Sequence, residues 1–477
     1  MAAVSGGYII SAGRSGDSVY TTQDAHKRTG GVRIAMSRQV TYVRIAFRWA
    51  ALALIMGMAS LALPQTGKTA PYTVDIIGSG DNMMHIVFAT PMGDSSQAQA
   101  LQQALNSNMT LLPFINVINP NGIPGGASIS GATGDNIDFG RFAMAKAHML
   151  ITTNWTGPSQ VELRCYEVTQ GRFMFGNRYN LGTSKEGTLD VADKFCADFL
   201  QAVIGNGAFF RSSIAFVKSD GQRKSNVWSV RPNGRYLTRL TSMNGEALSP
   251  TWSPDGSRVL FTHIDKRSHA LGVHDTRSKT VQRVKFPGNT VIGPAYMPNG
   301  SVAVSLTDGR NPSIFLLSSG LQKQSRLEDS QAIDVSPSVD AAGRYMAFTS
   351  SRMGGPQIFL KDLSSGAVRR ISQSGRYNTD PSISPDGTVV AYARQEGGGH
   401  RIYVQDLVTG QERQLTFGPG SDEEPCFAPD SYFIAFMSTR GGKKELYLTT
   451  RNGGEPKKIP TGSGDASFPA WSPELAR

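Results

Sequence analysis

The chain has 477 residues, 39% of them apolar, which is enough to bury more than one core, and its three cysteines are too few for a disulfide scaffold. Its formal charge is +11, but the first 63 residues carry seven basic and two acidic side chains, which leaves +6 for all the rest. With no basic run interleaved with aromatics, that excess argues against a nucleic-acid track.

Residues 1–35 are polar and pattern-poor and read as an upstream extension, with Met36 as the natural start. Trp49 to Leu63 (WAALALIMGMASLAL) is an uncharged stretch of 15 residues behind Arg38, Arg44 and Arg48. It is short for a membrane span and right for the apolar region of a secretory signal, and Ser60-Leu61-Ala62 offers small residues for cleavage. Residues 36–70 are therefore expected to be a signal peptide and its flank, with an uncleaved anchor as the alternative.

Residues 71–206 alternate strand and helix patterns, which predicts a small α/β layer domain. A strand is expected at Met84 to Phe88. A helix capped from Asp94-Ser95-Ser96 follows, through Leu101 and Leu105 to a breaker near Pro113. Further on come a helix from Phe139 to Ala147, a strand from Met149 to Thr152, and a hairpin of Val161 to Val168 with Arg172 to Tyr179. The last helix runs from Leu189 to Val203 and stops at Gly205-Asn206-Gly207. Cys165 and Cys196 read as isolated buried thiols, with a disulfide between them as the alternative.

From residue 207 to 477 the organisation changes to a repeat. Proline stations recur at Ser249-Pro250, Gly293-Pro294, Ser336-Pro337, Asp380-Pro381, Glu424-Pro425 and Phe468-Pro469, spaced 44, 43, 44, 44 and 44 residues apart. Two positions after each proline sits a large or branched residue (Trp252, Tyr296, Val339, Ile383, Phe427, Trp471). A small residue lies between, as Cys426 does in the fifth unit, where it reads as a packed small hydrophobe. Alternation along a strand sends these to opposite faces, so that one sheet's bulk enters its neighbour's hollow. Corners such as Pro254-Asp255-Gly256 and Pro385-Asp386-Gly387 precede second strands such as Val259-Leu260-Phe261 and Ile434-Ala435-Phe436.

The period and the four strand patterns per unit predict an all-β six-bladed β-propeller with the proline strand innermost. The last unit supplies only its inner strand, and Ile214-Ala215-Phe216-Val217 is an unmatched second strand at the other end. Pairing of the C-terminal strand with this first propeller strand would close the ring and remove its edges.

No motif for catalysis is present: no G-x-S-x-G elbow, no H-E-x-x-H, no phosphate loop and no C-x-x-C. His85, His148, His263, His269, His274 and His400 show no ligand spacing and read as surface residues. No metal or cofactor is expected. Propeller-bearing serine peptidases share the repeat, but a hydrolase domain follows theirs and none follows here. What remains is recognition at the ring's mouth, where the inner strands begin with Asp334, Asp380, Asp422, Glu423 and Glu424. These acids either receive a partner's basic or amide groups or accept backbone hydrogen bonds at the strand entrance.

The order of parts, the W-S-P-D-G units, the terminus Phe468-Pro469-Ala470-Trp471-Ser472-Pro473 and the junction Gly207-Ala208-Phe209-Phe210-Arg211-Ser212-Ser213-Ile214 together resemble the TolB family of the periplasmic Tol-Pal system, over roughly Tyr72 to Arg477. The resemblance implies a non-enzymatic, monomeric adaptor linking the inner-membrane protein TolA to the outer-membrane lipoprotein Pal, in support of envelope integrity and constriction at division. It implies that Pal docks at the propeller mouth, here onto Asp334, Asp380, Glu423 and Glu424. It also implies that the stretch after signal cleavage reaches TolA, here through Tyr72, Val74 and Ile76, an alternation able to add a strand to a partner sheet. The chain departs from the family at Ser336, where the family has an acid, and around Asn289 and Thr290, where a family histidine is unmatched. A secreted propeller that binds or hydrolyses a peptide or carbohydrate is the alternative.

Overall fold

The computed structural model describes residues 83–474 apart from 91, 92, 94, 131, 132, 183, 220, 222, 223, 267, 289, 308 and 329. The expected signal segment and the candidate partner residues Tyr72, Val74 and Ile76 lie outside the described residues.

The first part is a five-stranded sheet with helices on it. Its elements are β1 (Met84–Phe88), α1 (Ser96–Leu111), β2 (Ile115–Val117), α2 (Phe139–Met144), β3 (Met149–Gly157), β4 (Gln160–Glu167), β5 (Arg172–Asn180) and α3 (Lys185–Ile204). The sheet order is β2-β1-β3-β4-β5, with β1 parallel to both neighbours and β3, β4 and β5 antiparallel. Ser95 caps α1, its Oγ accepting from the Ala98 amide at 3.1 Å, and the stripe Ala98, Leu101, Leu105 and Met109 is buried. Ser184 caps α3 in the same way, so that the helix starts at Lys185, four residues before the expected Leu189, and Gly205 at φ +78° ends it.

Helix α2 is shorter than the sequence predicts. Lys146 adopts φ +58°, its amide donates to Ala143 O at 2.9 Å, and the Ala147 amide donates to Phe142 O at 3.0 Å. That is a Schellman end with lysine in the place glycine usually takes. Strand β3 runs on to Gly157, beyond Thr152, because β4 pairs with it through Trp155 and Gly157. Strand β2 is too short to show a period. Cys165 and Cys196 are buried free thiols, and burial pushes the Cys165 thiol up to about 12.

The second part is six four-stranded antiparallel sheets around a channel. Taken in chain order, blades II to VI have inner strands Glu246–Trp252, Val291–Tyr296, Asp334–Val339, Asn378–Ile383 and Asp422–Phe427. Blade I is composite: Asp465–Trp471 is its inner strand, and Ile214–Ser219, Ser225–Val230 and Thr238–Arg239 complete it. Asp465 pairs with Ser219 and Trp471 with Ile214, so the C-terminal strand closes the ring on the first propeller strand.

Every proline station is a β-bulge. Ser249, Gly293, Ser336, Asp380, Glu424 and Phe468 have φ between +46° and +58°. In each blade this residue and its proline together oppose one residue of the second strand: Phe261, Val304, Phe348, Tyr392, Phe436 and Phe216, all fully buried. Two residues set against one bend the inner strand around the large buried side chain, and proline costs no ladder bond there.

The α/β part and the propeller share one apolar core, which includes Leu101, Leu105 and Phe195 with Phe209, Phe433 and Trp471. Phe209 and Phe433 meet at 4.3 Å between ring centroids, and Phe114 packs edge-on against Tyr432 at 5.8 Å. Beside this core the corner of blade I, Arg231-Pro232-Asn233-Gly234-Arg235, grips α3. The 5%-exposed carboxylate of Asp193 accepts from Arg231, from Arg235 Nη1 at 2.7 Å, from Asn233 Nδ2 at 2.8 Å and from Asn108 Nδ2 of α1 at 3.0 Å. Four donors on one buried carboxylate are what offsets its desolvation.

Candidate docking site at the propeller mouth

The stations of neighbouring blades approach each other closely. A Cβ on Gly293 would lie 3.3 Å from Ser336 Cα, and the carboxylate of Glu424 accepts from the Phe468 amide of the next blade. The ring is uneven in chemistry. Blades II to IV contribute Ser249, Gly293 and Ser336; blades V and VI contribute Asp380 and Glu424; blade I contributes Phe468.

Asp380 and Glu424 are half-buried, and neither makes an ion pair among the described residues. Burial, and then the neighbouring charge of Glu423, pushes the Asp380 carboxyl up to about 6. Burial also pushes Glu424 up to about 8, helped by Asp380 and Glu423 and opposed by the Phe468 amide. Glu423 behaves differently. Burial is its largest single influence and acts upward, but His400, whose Nδ1 lies 3.4 Å from Oε1, and the Ser421 hydroxyl at 2.7 Å outweigh it, and the net shift is downward. Tyr377, its ring 6.0 Å from that of His400, completes the acid side of the mouth, its phenol raised by burial and by Asp380 and Glu423.

The other acids at the strand starts do different work. Asp334 has no exposed surface: Arg352 Nη2 at 3.1 Å and the Ser330 hydroxyl at 2.7 Å occupy its carboxylate. Asp422 is equally buried, bonded by Ser438 Oγ at 2.6 Å and by Arg440 Nη2 at 3.0 Å. Asn378 holds the same position in blade V and accepts from Arg394 Nε at 2.9 Å. Each of these arginines also stacks on aromatic rings: Arg352 on Phe359 at 4.7 Å, Arg394 on Tyr403 at 4.0 Å and Arg440 on Tyr447 at 5.1 Å. In blades IV, V and VI the mouth thus stands on buried struts that tie the inner strand's start to the outer strands. The sequence signal for them was available, in Arg352 and Arg440 lying two repeat lengths apart.

The channel holds a cavity of about 640 Å³ lined by residues of all six inner strands, among them Pro250, Pro294, Pro381 and Cys426, and by corner prolines such as Pro254, Pro298 and Pro385. His263 and His274, expected on the surface, are buried, and His263 Nε2 sits 2.8 Å from Asn244 O. Among the described residues no group of three or more His, Cys, Asp or Glu side chains is placed to hold a metal ion, and no helix is long and apolar enough to cross a membrane.

These features define a class: a closed six-bladed β-propeller fused through a shared core to a small α/β domain, with a chemically uneven mouth. The profile of the TolB β-propeller domain matches residues 200–475. The Tol-Pal system protein TolB of Nitratidesulfovibrio vulgaris is 49% identical over 318 residues, 64% of this chain and 71% of that protein. The TolB homologue of Chlorobium luteolum is 28% identical over 329 residues, 66% of this chain and 73% of that protein. The crystal structure of TolB from Acinetobacter baumannii superposes with a TM-score of 0.72 at 22% identity, covering 83% of this chain and 98% of that one, which shows the common fold. The chain belongs to the TolB family.

Proposed function

We propose that this chain is a periplasmic adaptor of the Tol-Pal system that links the outer-membrane lipoprotein Pal, held at the propeller mouth, to the inner-membrane protein TolA. The role is binding without catalysis, in support of outer-membrane integrity and envelope constriction at division. Residues 1–35 are then an upstream extension, 36–70 the export signal, 71–206 the α/β domain and 207–477 the propeller. TolA is contacted through Tyr72, Val74 and Ile76, whose apolar and polar alternation in sequence suits strand addition to a partner sheet. At the mouth Asp380, Glu423 and Glu424 receive the lipoprotein, and Asp334 braces the strand beneath them.

The observation that carries this reading is the pair of adjacent stations Asp380 and Glu424. Both sit at the bulge positions of neighbouring inner strands, and neither is neutralised by an ion pair among the described residues. A docking partner that brings hydrogen-bond donors or positive charge satisfies them, whereas a purely structural acid would already be satisfied, as Asp334 is. Replacing both acids by cations, Asp380→Lys with Glu424→Lys, is expected to weaken binding to the purified lipoprotein by more than about tenfold, on the order of 1.4 kcal/mol. Unaltered affinity would return both acids to a structural role. Recovery of a peptidoglycan-associated lipoprotein after mild crosslinking in cells tests the partner itself.

A further inference from the structure

Blade I holds a second polar feature on its own strands. Lys218 is only 8% exposed. Its ammonium donates to Thr461 O at 3.0 Å and lies 4.7 Å from the centre of the Trp228 ring. A single carbonyl and an indole face leave part of a buried cation's hydrogen-bonding capacity unused, and buried charges are ordinarily paired with an opposite charge. No carboxylate among the described residues forms an ion pair with Lys218. Asp465, one register step away on the inner strand, lines the same space but stays exposed.

The space beside this lysine is a cleft of about 600 Å³ lined by Lys218, Ser219, Trp228, Ser463, Gly464 and Asp465. Its wall is the glycine-rich turn before the closing strand. A Cβ on Gly462 would lie 3.1 Å from the Lys218 ammonium, and one on Gly464 would lie 3.5 Å from its Cε. Backbone without side chains at both positions lets the cation sit against the turn and leaves the cleft open above it.

We propose that this cleft is a binding site for a single carboxylate carried on a peptide side chain. One buried ammonium supplies one positive charge, and Asp465 at the edge disfavours a dianion, so a monoanionic carboxylate fits the local balance better than a phosphate. The indole beneath the lysine gives the aliphatic stem of a glutamyl side chain an apolar surface to lie on. The cleft opens at the same end of the closing strand that leads to Phe468, so a peptide bound there sits beside the mouth, but the site does not depend on the lipoprotein reading.

The test uses the full chain and the indole N–H resonances of its tryptophans, with Trp228 assigned by Trp228→Phe. Titration with N-acetyl-glutamate methylamide should shift the Trp228 signal saturably. The glutamine analogue and inorganic phosphate should each bind at least about tenfold more weakly. Lys218→Met should abolish the shift while the Trp155, Trp252 and Trp471 signals stay in place. Lys218→Arg should keep it, and Asp465→Asn should tighten binding. These two variants decide the matter if Lys218→Met does not fold. An equal response to the glutamine analogue, a preference for phosphate, no response to the glutamate probe, or an undiminished response in a folded Lys218→Met protein would each overturn the proposal.

Discussion

The carboxylate of Glu424 in blade VI accepts from the backbone amide of Phe468 in blade I, across the seam where the ring closes. This side chain ties the closing strand to its neighbour. Its raised carboxyl, about 8, means that the folded protein holds a proton there which the unfolded chain would release at a lower pH.

The sign of the resulting pH dependence follows from proton counting. Where the folded state binds more protons than the unfolded one, stability falls as pH rises, here between the ordinary carboxylate range near 4 and about 8. Asp380, raised to about 6, adds in the same direction over the lower part of that window. Glu424→Gln keeps an acceptor for the Phe468 amide and removes the charge. It should raise the melting temperature at pH 8.5 and change it little at pH 5. An equal effect at both pH values would mean that the carboxyl is not the titrating group.

Asp193 is the centre of the contact between α3 and blade I. Asp193→Ala would leave Arg231, 7% exposed at its side chain, buried without its main partner. A loss of about 3–5 kcal/mol is expected from breaking a buried pair on one side, read as a lower urea midpoint. Loss of under about 1 kcal/mol would show that water or Asp190, 3.8 Å from Arg231, replaces the missing carboxylate.

Closure should be visible as cooperativity. Removing residues 465–477 strips blade I of its inner strand, exposes the edge of Ile214–Ser219, and takes Trp471 out of the core shared with the α/β part. The truncated chain should lose its single cooperative unfolding transition by calorimetry. An unchanged melting curve would mean that the ring holds without its closing strand.

Lys146 carries a small local strain that can be relieved. At φ +58° in the terminal position of α2, lysine occupies a conformation glycine adopts freely. Lys146→Gly should be neutral or stabilising by up to about 1 kcal/mol, although glycine generally costs more chain entropy. A destabilisation of more than about 1 kcal/mol would show that the lysine side chain itself supports the turn.

Much of the architecture was legible in the residues because it repeats. The period of the proline stations, the alternation of large and small residues after each one, and the orphan strand Ile214 to Val217 were enough for blade number, strand order and closure. The first two are local patterns copied six times, and the third is the one strand that the repeat leaves without its inner partner. Helix ends were less legible: α2 stops at a left-handed lysine that no propensity favours, and α3 starts at a serine cap upstream of its first apolar turn.

The site divides along the same line. Acids at the mouth could be listed from the sequence, but an aspartate at a strand start reads the same whether or not an arginine reaches it. Asp334 and Asp422 are sealed by Arg352 and Arg440, while Asp380 and Glu424 have no ion pair among the described residues, and that distinction is a matter of through-space distance between strands. The sequence by itself determined the ring, because burial patterns and turn chemistry act over a few residues. Only the tertiary structure decided which charges are neutralised, how blade I's corner grips α3, and that a lysine lies buried against Trp228, because electrostatic pairing depends on contacts between residues far apart in the chain.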